Sequence, residues 1–186
     1  MKNVFIFIEG NIGAGKTTLA KILARELNGS LLLEKFEENP HLKKFYKDPK
    51  HNALPAELWF LNERHLQINS FFKKSNSKII ISDYHISKCI VFAEANLNES
   101  EFLVYQKHYK AINTLLPKPK LCIFLHQSVA QLQSNIQKRG RYYEKKISLD
   151  YLLKIQKGYE TLLQKKGPCL KPLVRFFKKG SSMSKT

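Results

Sequence analysis

The chain has 186 residues, 43% hydrophobic and 25% charged, which is enough apolar material for a buried core in a domain of ordinary size. Its 32 Lys and Arg against 15 Asp and Glu give a formal charge of +17, so its surface attracts polyanions, whether nucleic acid, an anionic membrane or a nucleotide. No apolar run approaches the length of a membrane span. No zinc-finger spacing or aromatic-rich RNA-binding signature accompanies the charge, and the three scattered cysteines (Cys89, Cys122, Cys169) read as reduced thiols of a cytoplasmic protein.

Val4–Ile8 is a short, continuous apolar run, as expected of a buried parallel strand. Five apolar residues leading straight into a loop do not read as a signal peptide. The loop satisfies G-x-x-x-x-G-K-[ST] with Gly10, Gly15, Lys16 and Thr17. Glycines let successive backbone N–H groups point into one concavity, and the helix that follows directs its positive end there. The expected triphosphate cradle is Gly10, Asn11, Ile12, Gly13, Ala14, Gly15, Lys16, Thr17 and Thr18, with the Thr17 hydroxyl a ligand for Mg²⁺. Leu19, Ile22, Leu23 and Leu27 fall at helical spacing behind it, and Asn28-Gly29 is a stop signal.

Leu31–Leu33 is a short strand candidate, and a helix is expected from Pro55 to about Phe72. Lys78–Ser82 is a buried strand, 86–96 and 99–115 read as helices, and Leu121–Leu125 is another buried strand. Ser128 with Gln131 suggests a capping box opening a helix, a further helix spans Ser148 to about Lys165, and Leu173–Phe177 is a last strand. Strands alternating with helices predict an α/β fold around a parallel sheet, in one domain over residues 1–186, with a short basic tail at 178–186. From Thr161 onward there are seven Lys or Arg and no acid, which reads as a solvated basic face rather than a nucleic-acid site.

Ligands of such folds collect at the carboxyl ends of the strands. There the sequence places Glu34, Asp83 and, behind the fourth strand and its helix, "KRGRYYEKK" at 138–146. Phosphoryl transfer to a hydroxyl needs cations around the moving group and a carboxylate near the hydroxyl. Each residue has an ordinary alternative: Glu34 as a surface acid beside Glu37 and Glu38, Asp83 as a helix N-cap, and Arg139 and Arg141 as a solvated charge run.

The segments "EGNIGAGKTT", "EKFEENPHLKKFYKDP" (34–49), "SDYHISKCIVFAE" (82–94), "LPKPK" (116–120), "KRGRYYEKK" and "YLLKIQKGYETLL" occur in the order found in the deoxynucleoside kinase family, and the chain most resembles its bacterial deoxyguanosine and deoxyadenosine kinase branch. The resemblance implies a P-loop kinase fold with a five-stranded parallel sheet, a lid at about 138–147, a homodimer, and transfer of the γ-phosphate of Mg–ATP to the 5′-hydroxyl of a deoxynucleoside. It implies Glu34 as general base with Asp83 as a second candidate and as a metal-side acid. Tyr46 and Glu144 fall on the sugar 3′-hydroxyl, and Lys16, Arg139 and Arg141 on the phosphates. Longer relatives carry a loop near the adenine of ATP and a final helix beyond the fifth strand, so the contacts of the donor base stay open.

The chain departs from the family at two places. Tyr84-His85 stands where Arg-Ser is usual, which removes an expected cation and puts Tyr84 among the substrate-side residues. Glu57 stands where many members carry glutamine. A carboxylate only accepts, so it suits guanine's N1–H and 2-amino group, whereas an amide suits adenine or cytosine; the alternative is a first-turn acid favoured by the helix dipole. Trp59, Phe60 and Phe92 are candidates to sandwich the base. Two other functions compete: a thymidylate-type monophosphate kinase, suggested by "SDYH", and a nucleic-acid-binding ATPase, suggested by the charge.

Overall fold

A computed structural model of the chain describes residues 3–144, 146–164 and 173–178. The chain runs β1 (Val4–Gly10), α1 (Lys16–Glu26), β2 (Ser30–Leu32), α2 (Leu42–Lys47), α3 (Pro49–Lys74), β3 (Ile79–Ser82), α4 (Ser87–Asn96), α5 (Glu99–Thr114), β4 (Leu121–His126), α6 (Val129–Arg139), α7 (Leu149–Gln164) and β5 (Leu173–Lys178). The expected α/β architecture is what forms: all four strand pairings are parallel, in the order β2-β3-β1-β4-β5. Cys169 and the tail beyond residue 178 lie outside the described residues. Among the described residues no helix is long and apolar enough to cross a membrane.

Successive strand residues face opposite sides, and both sides are covered. Ile6, Ile8, Ile81, Ile123 and Leu125 pack with Ala20 and Ala24 of α1 and Leu132 and Ile136 of α6. Phe5, Phe7, Ile80 and Cys122 pack on the other side with Phe71 and Phe72 of α3 and Leu162 and Leu163 of α7. This two-sided burial explains why the strands read as unbroken apolar runs.

Two elements differ from the sequence expectation. Helix α3 begins at Pro49, six residues before Pro55, which lies inside it. Proline fits the first turn, and the packing of α2 along α3 carries the helix across the second, solvent-facing proline. Helix α2 was not expected; six residues give too short a period to recognise, though Leu42 and Phe45 are both buried. Ser128 does accept the Gln131 N–H at 3.3 Å, and a reciprocal capping box forms between Asn98 and Glu101.

The turn after β1 needs glycine for two separate reasons. Gly10 has φ +146°, and a Cβ there would lie 2.6 Å from the Leu125 carbonyl oxygen. Gly13 has φ +81°, and its Cβ would lie 2.8 Å from the Leu132 carbonyl oxygen. The loop is therefore pressed between β4 and α6. Gly10→Ala is expected to cost about 1–3 kcal/mol and several degrees of Tm. The loss should exceed that of Gly140→Ala, where φ is +73° but the space is open. Thermal unfolding of both variants checks this, and an equal loss would contradict it.

Candidate active site

The carboxyl ends of β1, β2 and β3 open into a cavity of about 460 Å³. Its wall runs from Ile12, Gly13, Lys16 and Thr17 of the loop, past Glu34 and Asp83, to Glu57, Asn96 and Tyr151. Arg139, Arg141 and Glu144 close one side, and Tyr46 also lines it. The volume suits a small ligand.

Glu34 is nearly enclosed, with its side chain 10% exposed. Oε1 accepts from Arg64 Nε at 2.9 Å and from Arg64 Nη2, and Oε2 accepts from Lys88 Nζ at 2.7 Å. Burial alone would raise its pKa, but the charges of Arg64 and Lys88 outweigh that and hold the carboxyl well below the usual carboxylate range. The surface-acid alternative therefore fails for Glu34; Glu37 and Glu38 remain exposed.

Asp83 is 6% exposed and caps no helix, since Ile86 holds the N-cap position of α4. Its Oδ2 accepts from the Thr17 hydroxyl at 2.5 Å and its Oδ1 from the Glu34 backbone N–H at 2.9 Å. One carboxylate thus fixes both the helix behind the loop and the backbone that presents Glu34. Lys16 donates to the Gly10 and Asn11 carbonyls, both at 2.9 Å. Its pKa is pushed down to about 8, first by its enclosure and then by the charge of Lys88.

The arginines are not a loose charge run. Arg139 Nη2 donates to Glu144 Oε2, and Arg141 Nη1 lies 3.4 Å from Glu144 Oε1. Arg141 also lies over the Phe36 ring, 4.1 Å from its centroid. Tyr46 stacks on Tyr143, with centroids 5.8 Å apart, and burial followed by Glu144 raises its pKa above the ordinary phenol value. The NP-x-L-x-x-FY segment has a physical basis: Asn39 donates to the Ala56 carbonyl at 3.2 Å and accepts from His41 N–H at 2.8 Å, which pins α2 and Tyr46 against α3.

Glu57 lies well beyond the first turn of α3, so the dipole alternative fails. It is 3% exposed; its Oε1 accepts from Asn96 Nδ2 at 2.7 Å, and its Oε2 is buried with no hydrogen-bond partner among the described residues. Phe60 and Phe92 line the cavity, while Trp59 stands outside its wall against Phe60.

Tyr84 is a correction: it does not reach the cavity. It is fully buried in the core between α3, α4 and α5, and its hydroxyl donates to Gln67 at 2.9 Å. His85 stacks on Phe7 at 4.4 Å, and burial lowers its pKa to about 3, so it carries no charge at neutral pH. The cation missing from this motif has a counterpart one turn later in Lys88, which the sequence reading overlooked, as it overlooked Arg64 and Asn96. Arg64 lies seven residues after Glu57, two helical turns along the same face, and that spacing was the available signal. Tyr143, whose buried hydroxyl has no partner among the described residues, and the buried Glu9, which accepts from Tyr159 at 2.8 Å and from His85 N–H at 3.1 Å, carried no comparable signal.

The family described as deoxynucleoside kinase matches residues 6–181. The chain is 40% identical over 164 residues to deoxyguanosine kinase of Bacillus subtilis (strain 168), covering 86% of this chain and 78% of that protein. It is 34% identical over 170 residues to deoxyadenosine kinase of Lactobacillus acidophilus, covering 83% of this chain and 77% of the relative. Deoxyadenosine kinase from M. mycoides with bound dATP superposes with a TM-score of 0.82 at 25% identity, over 93% of this chain and 91% of that one.

The ion pairs of Glu34 make a pH prediction. A carboxyl whose pKa is depressed on folding stabilises the fold above its unfolded value, about 4.3, and loses that contribution as pH falls toward its folded value. Glu34→Gln also strands two buried cations, so it should cost about 3–5 kcal/mol at pH 7. The stability gap between wild type and variant should narrow steadily below about pH 4.5. Denaturant unfolding of both at pH 7 and pH 4 tests this, and a gap that widened in acid would contradict it.

Proposed function

This chain belongs to the deoxynucleoside kinase family, and from that premise we propose that it phosphorylates the 5′-hydroxyl of deoxyguanosine in preference to deoxyadenosine, with Mg²⁺–ATP as donor. The kinase activity follows from the family, which overrides the monophosphate-kinase and ATPase alternatives. The base preference rests on one observation: a buried carboxyl, Glu57, lines the cavity with one oxygen unpartnered. A carboxylate there offers acceptors to guanine's N1–H and 2-amino group and sets a lone pair against adenine N1, an unpaired arrangement that is costly when buried. Relatives with either substrate name match the chain, so the preference is carried by this residue.

The remaining roles are those the family resemblance implies, and they are supported by all of these side chains lining one cavity: Tyr46 and Glu144 for the sugar hydroxyl, and the loop N–H groups, Lys16, Arg139 and Arg141 for the phosphates. Glu34 accepts the proton of the 5′-hydroxyl through the remaining lone pair of Oε2. It is a weak base, which suffices because little charge develops on the attacking oxygen in a loose phosphoryl-transfer transition state. Asp83, hydrogen-bonded to the Thr17 hydroxyl beside the loop, is better suited to the metal side. The Thr17 hydroxyl and the Asp83 carboxylate are hard oxygen donors side by side, a set that fits Mg²⁺, and they would hold it. Bound there, the ion would neutralise charge on the phosphates. A homodimer is part of this reading and rests on the family resemblance, and a cytoplasmic setting rests on the three scattered cysteines.

The test is a phosphorylation screen. The purified protein is incubated with Mg²⁺–ATP and each of deoxyguanosine, deoxyadenosine, deoxycytidine, thymidine and thymidine monophosphate, and products are read by mass. Deoxyguanosine should lead deoxyadenosine by about tenfold or more in kcat/KM at pH 8. A deoxyadenosine or pyrimidine preference would overturn the reading of Glu57. Glu34→Gln should lower kcat by about 10²–10⁴ while ATP binding survives; wild-type turnover would transfer the proton to Asp83.

A further inference from the structure

Glu57 differs from Glu34 in what faces it. On its own helix, Arg64 is committed to Glu34 and to Cys89 Sγ. On α4, Lys88 is committed to Glu34, Cys89 is a buried thiol whose proton burial retains, and Asn96 gives one neutral N–H to Oε1. On α5, the Tyr105 hydroxyl goes to the Glu57 backbone carbonyl at 3.4 Å, not to the carboxyl. Tyr46 of α2 and Tyr151 of α7 are phenols that burial keeps protonated, and Glu34 is a like charge. Among the described residues no cation rests on the Glu57 carboxyl. A buried carboxyl with a single neutral donor holds its proton readily. Burial pushes its pKa up to about 7, against the opposing effects of Asn96, Arg64 and Lys88.

We propose that Glu57 reads two purines in two protonation states: as a carboxylate it takes guanine, and as a carboxylic acid it takes adenine. The proposal rests on the reading of Glu57 as the base contact. The proton belongs on Oε2, the oxygen without a donor, while Oε1 keeps the Asn96 amide. The acid donates O–H to adenine N1 and accepts from the 6-amino group, which is the pattern a glutamine would offer. The carboxylate accepts from guanine N1–H and the 2-amino group. Adenine binding therefore takes a proton from the buffer and guanine binding releases one; the phosphoryl transfer itself is unchanged.

Linkage gives this a signature independent of where the group titrates. If one base is read only by the ionised form and the other only by the protonated form, the ratio of their kcat/KM values follows the ratio of the two forms, and rises about tenfold per pH unit. Internal competition measures that ratio directly. Equal concentrations of deoxyguanosine and deoxyadenosine share one tube with saturating Mg²⁺–ATP, at pH 6, 7 and 8, where both bases stay neutral. Product monophosphates are counted by mass. Effects of pH on Glu34, the arginines or ATP act on both products and cancel.

The expected result is a deoxyguanosine-to-deoxyadenosine product ratio that climbs about 100-fold from pH 6 to pH 8. A ratio constant within about twofold overturns the proposal. Glu57→Gln fixes the adenine pattern, so its ratio should favour deoxyadenosine and stay flat with pH. If Glu57→Gln shifts toward adenine while the wild-type ratio is flat, only the protonation proposal fails. If Glu57→Gln keeps the wild-type ratio, the residue does not touch the base and the underlying reading fails with it. Asn96→Ala serves should the glutamine variant not fold. It removes the donor that favours the carboxylate, so the ratio should fall toward deoxyadenosine at every pH, and an unmoved ratio counts against the proposal.

Discussion

A carboxylate taken out of water must find cations or hydrogen-bond donors, and at Glu34 that requirement organises the molecule. Arg64 arrives from α3 and Lys88 from α4, both aimed at the residue that follows β2. Asp83 holds the Glu34 backbone N–H from the end of β3 and reaches the Thr17 hydroxyl at the start of α1. Four segments distant in sequence are therefore tied to the phosphate loop through two acids. The parallel sheet brings the strand ends together, but the charge network fixes their side chains. Preorganisation of this kind matters for phosphoryl transfer, where the protein contributes positioning and electrostatics rather than covalent chemistry.

Two glutamates of the cavity, Glu34 and Glu57, show how environment divides labour between identical side chains. Glu34 is clamped by two cations and stays ionised, so it is a fixed acceptor. Among the described residues Glu57 meets an amide and no hydrogen-bonded cation, so its proton is negotiable. The same helix bears on both, since Arg64 spends its hydrogen bonds on Glu34 and the Cys89 sulfur and reaches Glu57 only through its charge. Replacing the usual arginine of the β3 motif by Tyr84 has a related consequence. The tyrosine ring enters the core, the neighbouring His85 is neutralised by burial, and Lys88 supplies the positive charge beside the cavity.

Much of the architecture was legible in the sequence because its signals were local. Continuous apolar runs marked the buried strands, and the glycine spacing marked the loop whose close contacts with Leu125 and Leu132 demand glycine. Residues at strand ends could be named because topology gathers strand ends. What failed depended on tertiary contact. The start of α3 was misjudged because packing, not propensity, carries a helix through Pro55. Tyr84 was assigned by its place in a motif, and nothing in one sequence says that a side chain at such a place turns inward. Arg64 and Lys88 were passed over as two cations among 32, since only the fold distinguishes a buried cation from a solvated one.

In the proposed reading, one cavity holds a deoxynucleoside with its base on Glu57 and its 5′-hydroxyl on Glu34. The most direct measurement is a crystal structure of the protein with deoxyguanosine bound at pH 8. The guanine N1 and 2-amino nitrogens are expected within hydrogen-bond distance, about 2.7–3.2 Å, of the Glu57 carboxylate, and the 5′-oxygen within the same reach of Glu34 Oε2. A guanine whose Watson–Crick edge faces other groups, or a 5′-oxygen bound to Asp83 instead of Glu34, would contradict it.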